Sequence, residues 1–175
     1  LGKAFLILEP MQKIQLPFQN VIITILLSLI TFGIYIPVWF IINRHSINSM
    51  VEGKQMPLTG PIVILVLYGL STIISFLSIF VELFGEAAAL NNYYDNIDNF
   101  VTLIGWIWTT VLSFQVQYIF KRYTQQNQYE VGYVGVFTFL FGIYYLQYKV
   151  NQIIRYEDNQ VWDIDSIGQH LEEEE

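Results

Sequence analysis

Between residues 71 and 82 the chain spaces Ser71, Ser75, Ser78 and Glu82 by four, three and four, so one helical face carries three hydroxyls and a carboxylate. A second series, Thr102, Thr109, Ser113 and Gln117, drifts slowly around a later helix, with Gln115 on the face opposite Gln117. A third alternates three and four through Gly135, Thr138, Gly142, Tyr145, Lys149 and Gln152. In lipid such residues let helices approach closely and hydrogen-bond across the seam; the same residues can also line a polar pathway for a solute or ion. A packing seam is the plainer expectation.

Nothing comparable is arranged for catalysis. His45 and His170 are the only histidines, and neither has an acid or a second histidine at ligand spacing. Asp95-Asn-Ile-Asp98 lacks the glycine and the bidentate glutamate of a calcium loop and is expected to be a solvated connection. There is no Gly-x-Ser-x-Gly, no phosphate-cradling glycine loop and no pair of intramembrane carboxylates. With no cysteine either, the chain is expected to be no enzyme and to need no metal or cofactor.

The elements that carry these residues are long and apolar. The chain is 54% hydrophobic and 13% charged, about half the charge of an ordinary soluble domain, and its aromatics reach 17%. Four charge-poor segments follow an interfacial lead-in at 1–20: residues 21–42, 61–85, 101–120 and 131–155. About 20 apolar residues rising 1.5 Å each cross the hydrocarbon layer. Segments two and three are therefore full crossings, and the fold expected is an all-α polytopic integral membrane protein of one domain. Trp39, Tyr118 and Tyr148 stand near segment ends beside Arg44, Lys121-Arg122 and Lys149, as interfacial anchors do.

Segment one is interrupted by Gly33 and Pro37. It is either a crossing kinked at the proline or a re-entrant hairpin in which Gly33 makes the turn and Pro37 opens the returning half. Segment four has Leu146 at the equivalent of the proline and is expected to be one continuous helix. If all four segments cross, the basic residues divide evenly between the two sides. If segments one and four re-enter, all eight fall on one side and only the acidic connection 86–100 on the other. Both wirings put the two termini on the same side, taken as the cytoplasmic side of a prokaryotic membrane. From Glu157 onward lie eight acids and no Lys or Arg, an acidic tail at 156–175 that is expected to be mobile and offers nothing to nucleic acid.

Phe32-Gly33-Ile34-Tyr35 recurs as Phe141-Gly142-Ile143-Tyr144, each with an aromatic four residues beyond the tyrosine (Trp39, Tyr148) and a preceding threonine (Thr31, Thr138). The recurrence suggests an internal duplication. Leu27, Thr31, Gly33, Ile34, Tyr35 and Trp39, with Tyr144, Tyr145, Gln147, Tyr148, Lys149 and Asn151 later, make the chain resemble a family of small prokaryotic membrane proteins known as domain of unknown function four-two-three-four. That resemblance implies a membrane-embedded helical fold and no assigned activity. Pro37 and the displaced Thr138 depart from the pattern. The function expected is a non-enzymatic membrane module, an assembly or scaffold subunit packing against itself or other membrane proteins. The alternative is a small oligomeric channel or transporter using Ser71, Ser75, Ser78, Glu82, Thr109, Ser113 and Gln115.

Overall fold

A computed structural model describes residues 16–53, 55–84 and 88–172, with only the backbone of 84, 88–91 and 160–172. The described residues are all-helical: α1 (Val21–Ile30), α2 (Tyr35–Ser49), α3 (Thr59–Phe84), α4 (Ala88–Gln126), α5 (Gly135–Phe141) and α6 (Ile143–Glu172). They pair as α1–α2, α3–α4 and α5–α6, and the turns of the first and third pairs both face the end of the α3–α4 pair at which α3 finishes and α4 starts. At one tip the Phe32 ring meets Phe76 of α3 at 6.1 Å. Near the third tip Phe139 meets Trp106 of α4 at 5.1 Å.

The first hairpin turns where the sequence allows either alternative. Asn20 caps α1, its Oδ1 accepting from Ile22 N at 2.9 Å. At the other end Gly33 N donates to Ser28 O at 2.7 Å and Phe32 N to Leu29 O at 3.2 Å, the two crossed bonds of a Schellman stop. Phe32 and Gly33 have φ of 50° and 85°. Pro37 lies in the first turn of α2, where no intrahelical N–H bond is lost, so the break belongs to Gly33 and not to a proline kink. Segment four departs from the expected continuous helix. It ends at Phe141 and restarts at Ile143, because Gly142 takes φ 46° and ψ −119°, a region that suits glycine alone. No proline is needed for that stop.

Two helices are long and apolar enough to cross a membrane, Thr59–Leu83 and Asn92–Gln126, and they contain the second and third apolar segments. α1 has ten residues, about 15 Å of rise, and α5 has seven. The conventional apolar core sits at the open end of the bundle, where Trp39, Phe40 and Ile47 of α2 pack with Ile64, Leu112, Val116, Phe120, Leu146, Val150 and Ile153. Toward the tips the pattern inverts. Ile22, Leu29, Ile73, Phe76, Phe80, Leu103, Val136 and Leu140 are exposed, while Thr24, Ser28, Ser78, Thr109, Ser113 and Thr138 are buried. That is the distribution expected when acyl chains replace water outside.

The α3–α4 hairpin is also longer than expected, since α4 begins at Ala88 rather than near Val101 and the supposed loop at 86–100 is helical from Ala88 onward. Gly105 supports the closest approach. A Cβ there would stand 2.7 Å from Tyr68 Cε1, and no real side chain tolerates that without displacing the ring. Gly105→Ala is therefore expected to lower unfolding free energy by about 1–3 kcal/mol, read as an earlier thermal midpoint in detergent. Unchanged stability would mean that the two helices are not held at this distance.

Candidate functional site

The serine stripe of α3 closes against the start of α4. Ser71 donates to Asp98, Ser75 Oγ donates to Asp98 Oδ2 at 2.9 Å, and Ser78 Oγ donates to Asp95 Oδ1 at 2.8 Å. Thr102 meets Ser71 at 3.0 Å. Asp95-Asn-Ile-Asp98 is thus a helical turn laid on the stripe, not a solvated loop. Farther down the same seam Tyr68 meets Thr109 at 3.3 Å, and Ser113 bonds back to Thr109 O at 2.8 Å. Glu82 and Gln115 are exposed and take no part, whereas Gln117 is buried with its Oε1 unpartnered. Of the seven residues named for a polar pathway, Ser71, Ser75, Ser78 and Thr109 line the α3–α4 seam, Ser113 stands by the α5–α6 turn at Gly142, and Glu82 and Gln115 are exposed; the three α3 serines already serve two carboxylates.

This pairing fixes the register. Ser71 lies level with Asp98 and Thr102, so the apolar runs 61–81 and 101–120 are offset by roughly ten residues, about 15 Å along the hairpin. From the height of the first tip outward α3 therefore shows Ile73, Phe76, Leu77, Ile79, Phe80 and Leu83, all exposed, while the facing stretch of α4 shows Asn92, Asp95, Asn96 and Asn99.

The two Gly-Ile-Tyr segments meet through a polar network at the open end. Trp39 Nε1 donates to Gln147 Oε1 at 2.7 Å; both side chains are buried, 1% exposed each. Gln147 Nε2 donates to Asn151 Oδ1 at 3.0 Å, and Asn151 Nδ2 to Gln19 O at 2.8 Å. The Tyr35 hydroxyl reaches Gln19 Oε1 at 3.1 Å, and Asn43 Nδ2 donates to Trp39 O at 2.9 Å. Thr31 splices α1 to α2: its hydroxyl donates to Leu27 O at 2.7 Å and accepts from Tyr35 N at 2.9 Å. Thr138 differs, being fully buried with its hydroxyl unpartnered and only its carbonyl bound to Gly142 N at 2.9 Å. Ile143 is buried, and Ile34 and Tyr144 are half-buried.

The sequence reading left Gln19, Gly105, Asp95 and Asp98 out of the candidate set. Gly105-x-x-x-Thr109-x-x-x-Ser113 was a legible signal of close packing; the aspartates carried none, because their partners lie across the hairpin. The acidic end is tied in at its first residue: Glu157, buried in α6, accepts from the Tyr123 hydroxyl at 2.7 Å. α6 runs on as helix to Glu172, so no break falls at 155/156. In the α4–α5 connection, burial foremost and then the charge of Glu157 hold the Tyr129 hydroxyl above its ordinary pKa.

Among the described residues no cluster of His, Cys, Asp and Glu could hold a metal ion. The lead-in before Leu16, Lys54, the His170 side chain and residues 173–175 lie outside what is described. No protein-family model, curated protein or solved structure matches this chain.

Proposed function

We propose that this chain is a non-enzymatic integral membrane module that assembles with a second copy of itself. The observation that carries the reading is the outer half of the α3–α4 hairpin. At one height it presents an apolar face on α3 and an amide-and-carboxylate face on α4. Lipid would leave Asn92, Asn96 and Asn99 unsolvated, and water would leave Phe76, Phe80 and Leu83 bare. Pairing two hairpins through the polar face, with lipid on the apolar one, satisfies both.

In this reading α3 and α4 cross the bilayer, while α1–α2 and α5–α6 enter and leave on one side. Arg44, Lys121, Arg122, Lys149 and Arg155 lie on the open side of the tips, and Glu82, Asp95 and Asp98 lie on the outer part of the tall hairpin. That asymmetry favours an open end, and so both termini, in the cytoplasm of a prokaryotic cell. The repeated Gly-Ile-Tyr breaks fit a duplicated hairpin and the motif family that the sequence resembles. A channel reading is weaker, because the α3 serines are already hydrogen-bonded to Asp95 and Asp98.

The test uses reconstituted vesicles and the absence of native cysteine. Asn96→Cys is expected to cross-link to dimer, Leu140→Cys is not, and the vesicles are expected to remain tight to small ions. Ion or solute flux abolished by Ser75→Leu or Gln115→Leu would replace the assembly reading with the transport one.

A further inference from the structure

The third hairpin carries a groove that the assembly surface does not use. It opens beside the start of α5 and the first turns of α6, with a volume of about 460 Å³, and Val134, Phe137, Phe141, Tyr145, Tyr148 and Lys149 form its walls. Phe137 and Phe141 are half exposed, so the apolar wall continues onto the outer surface of α5, where Val136 and Leu140 also stand out. At one end of this wall sits a single cation. Lys149 is 7% exposed, its Nζ lying 5.2 Å from the Tyr145 and Tyr148 ring centres and 5.6 Å from that of Tyr133.

Among the described residues its hydrogen bond goes to the neutral Gln152 Oε1 at 2.8 Å. An ammonium has three donors, and a sheltered lysine is ordinarily paired with a carboxylate. Here three aromatic faces hold the charge, and among the described residues no carboxylate is bonded to it. Glu157, two helical turns farther along α6, is instead bonded to Tyr123.

We propose that this groove binds an anionic glycerophospholipid, the headgroup phosphate on Lys149 Nζ and the first acyl carbons along Val134, Phe137 and Phe141. Charge complementarity selects the headgroup. The apolar wall, continuous with the lipid-facing side of α5, selects a lipid over a soluble anion, which would gain nothing from it. Tyr148, exposed at the rim, suits the interfacial depth that a headgroup occupies. The inference rests on residence in a bilayer, and its test separates the two.

The full chain, purified in a neutral detergent, is titrated with phosphatidylglycerol or phosphatidylcholine, and retained lipid is counted by native mass spectrometry. The expected result is preferential retention of phosphatidylglycerol. Lys149→Gln should reduce that retention about tenfold, the scale of one charge-assisted hydrogen bond, and reduce phosphatidylcholine less, because its choline cation already offsets the phosphate charge. Phe141→Ala, at a half-exposed position, should weaken both lipids alike while the thermal midpoint in detergent stays near that of the parent. Equal retention of the two lipids by the unaltered protein, or a preference surviving Lys149→Gln, would overturn the proposal. So would displacement of the lipid by millimolar inorganic phosphate, which would mark a site for a soluble anion. Recovery of the chain from the aqueous fraction without detergent would instead remove the membrane reading itself.

Discussion

Trp39→Ala is expected to lower unfolding free energy in detergent by about 3–5 kcal/mol, the range for emptying a buried tryptophan site. The ring packs edge-on against Phe40 at 5.3 Å and is 1% exposed, so no water can enter to fill the space cheaply. Part of that loss belongs to the hydrogen bond with Gln147. Gln147→Leu alone keeps the volume but strands the indole N–H in the core, a penalty of about 1–3 kcal/mol. Trp39→Phe alone strands the Gln147 carbonyl oxygen instead. The double variant removes both partners and should recover part of the sum, giving a coupling energy of about 1–2 kcal/mol in a double-mutant cycle. Additive losses would show that the 2.7 Å contact is geometric only and that the two Gly-Ile-Tyr segments are joined by apolar packing alone.

That pair marks the limit of what a single sequence discloses. Trp39 and Gln147 stand 108 residues apart, and neither residue type announces the other. The serine stripe was legible as a face because helical spacing is a local property. Its partners were not, because Asp95 and Asp98 look from their own surroundings like residues meant for water, and only the antiparallel register lays them on Ser71, Ser75 and Ser78. The bilayer-length runs were plain in hydropathy, yet the roughly 15 Å offset between them depends on hairpin pairing that no window average contains. The all-helical class followed from composition. Whether the first and fourth segments run straight or turn back did not, because a hydrophobic run counts the same whether the chain continues through its glycine or reverses there. Proline was weighted as the breaker in segment one and its absence as continuity in segment four; in both places the glycine torsion decides.

Gly142 and Gly33 should therefore respond unequally to the same substitution. At Gly142 the torsions of φ 46° and ψ −119° are closed to side chains of the natural hand, and forcing one costs about 1–3 kcal/mol. A Cβ alone would sit an ordinary 3.5 Å from Ser113 Oγ, but the branches of a leucine would have to enter the contact between α4 and the α5–α6 turn. That overpacking brings the expected loss for Gly142→Leu to about 3–5 kcal/mol. Gly33, at φ 85°, meets only the Tyr68 ring at 3.8 Å, and Phe32 beside it already occupies the left-handed region with a full side chain. Gly33→Leu is expected to cost about 1–2 kcal/mol, the penalty for left-handed backbone. Thermal midpoints of the two variants and of the matching alanine variants, taken in one detergent, separate strain from crowding: Gly142→Ala should carry the torsional loss alone. Equal midpoints for Gly142→Ala and the parent would mean that α5 and α6 run on as one helix. The third hairpin would then be a crossing, and both its tip and the groove at its foot would have to be redrawn.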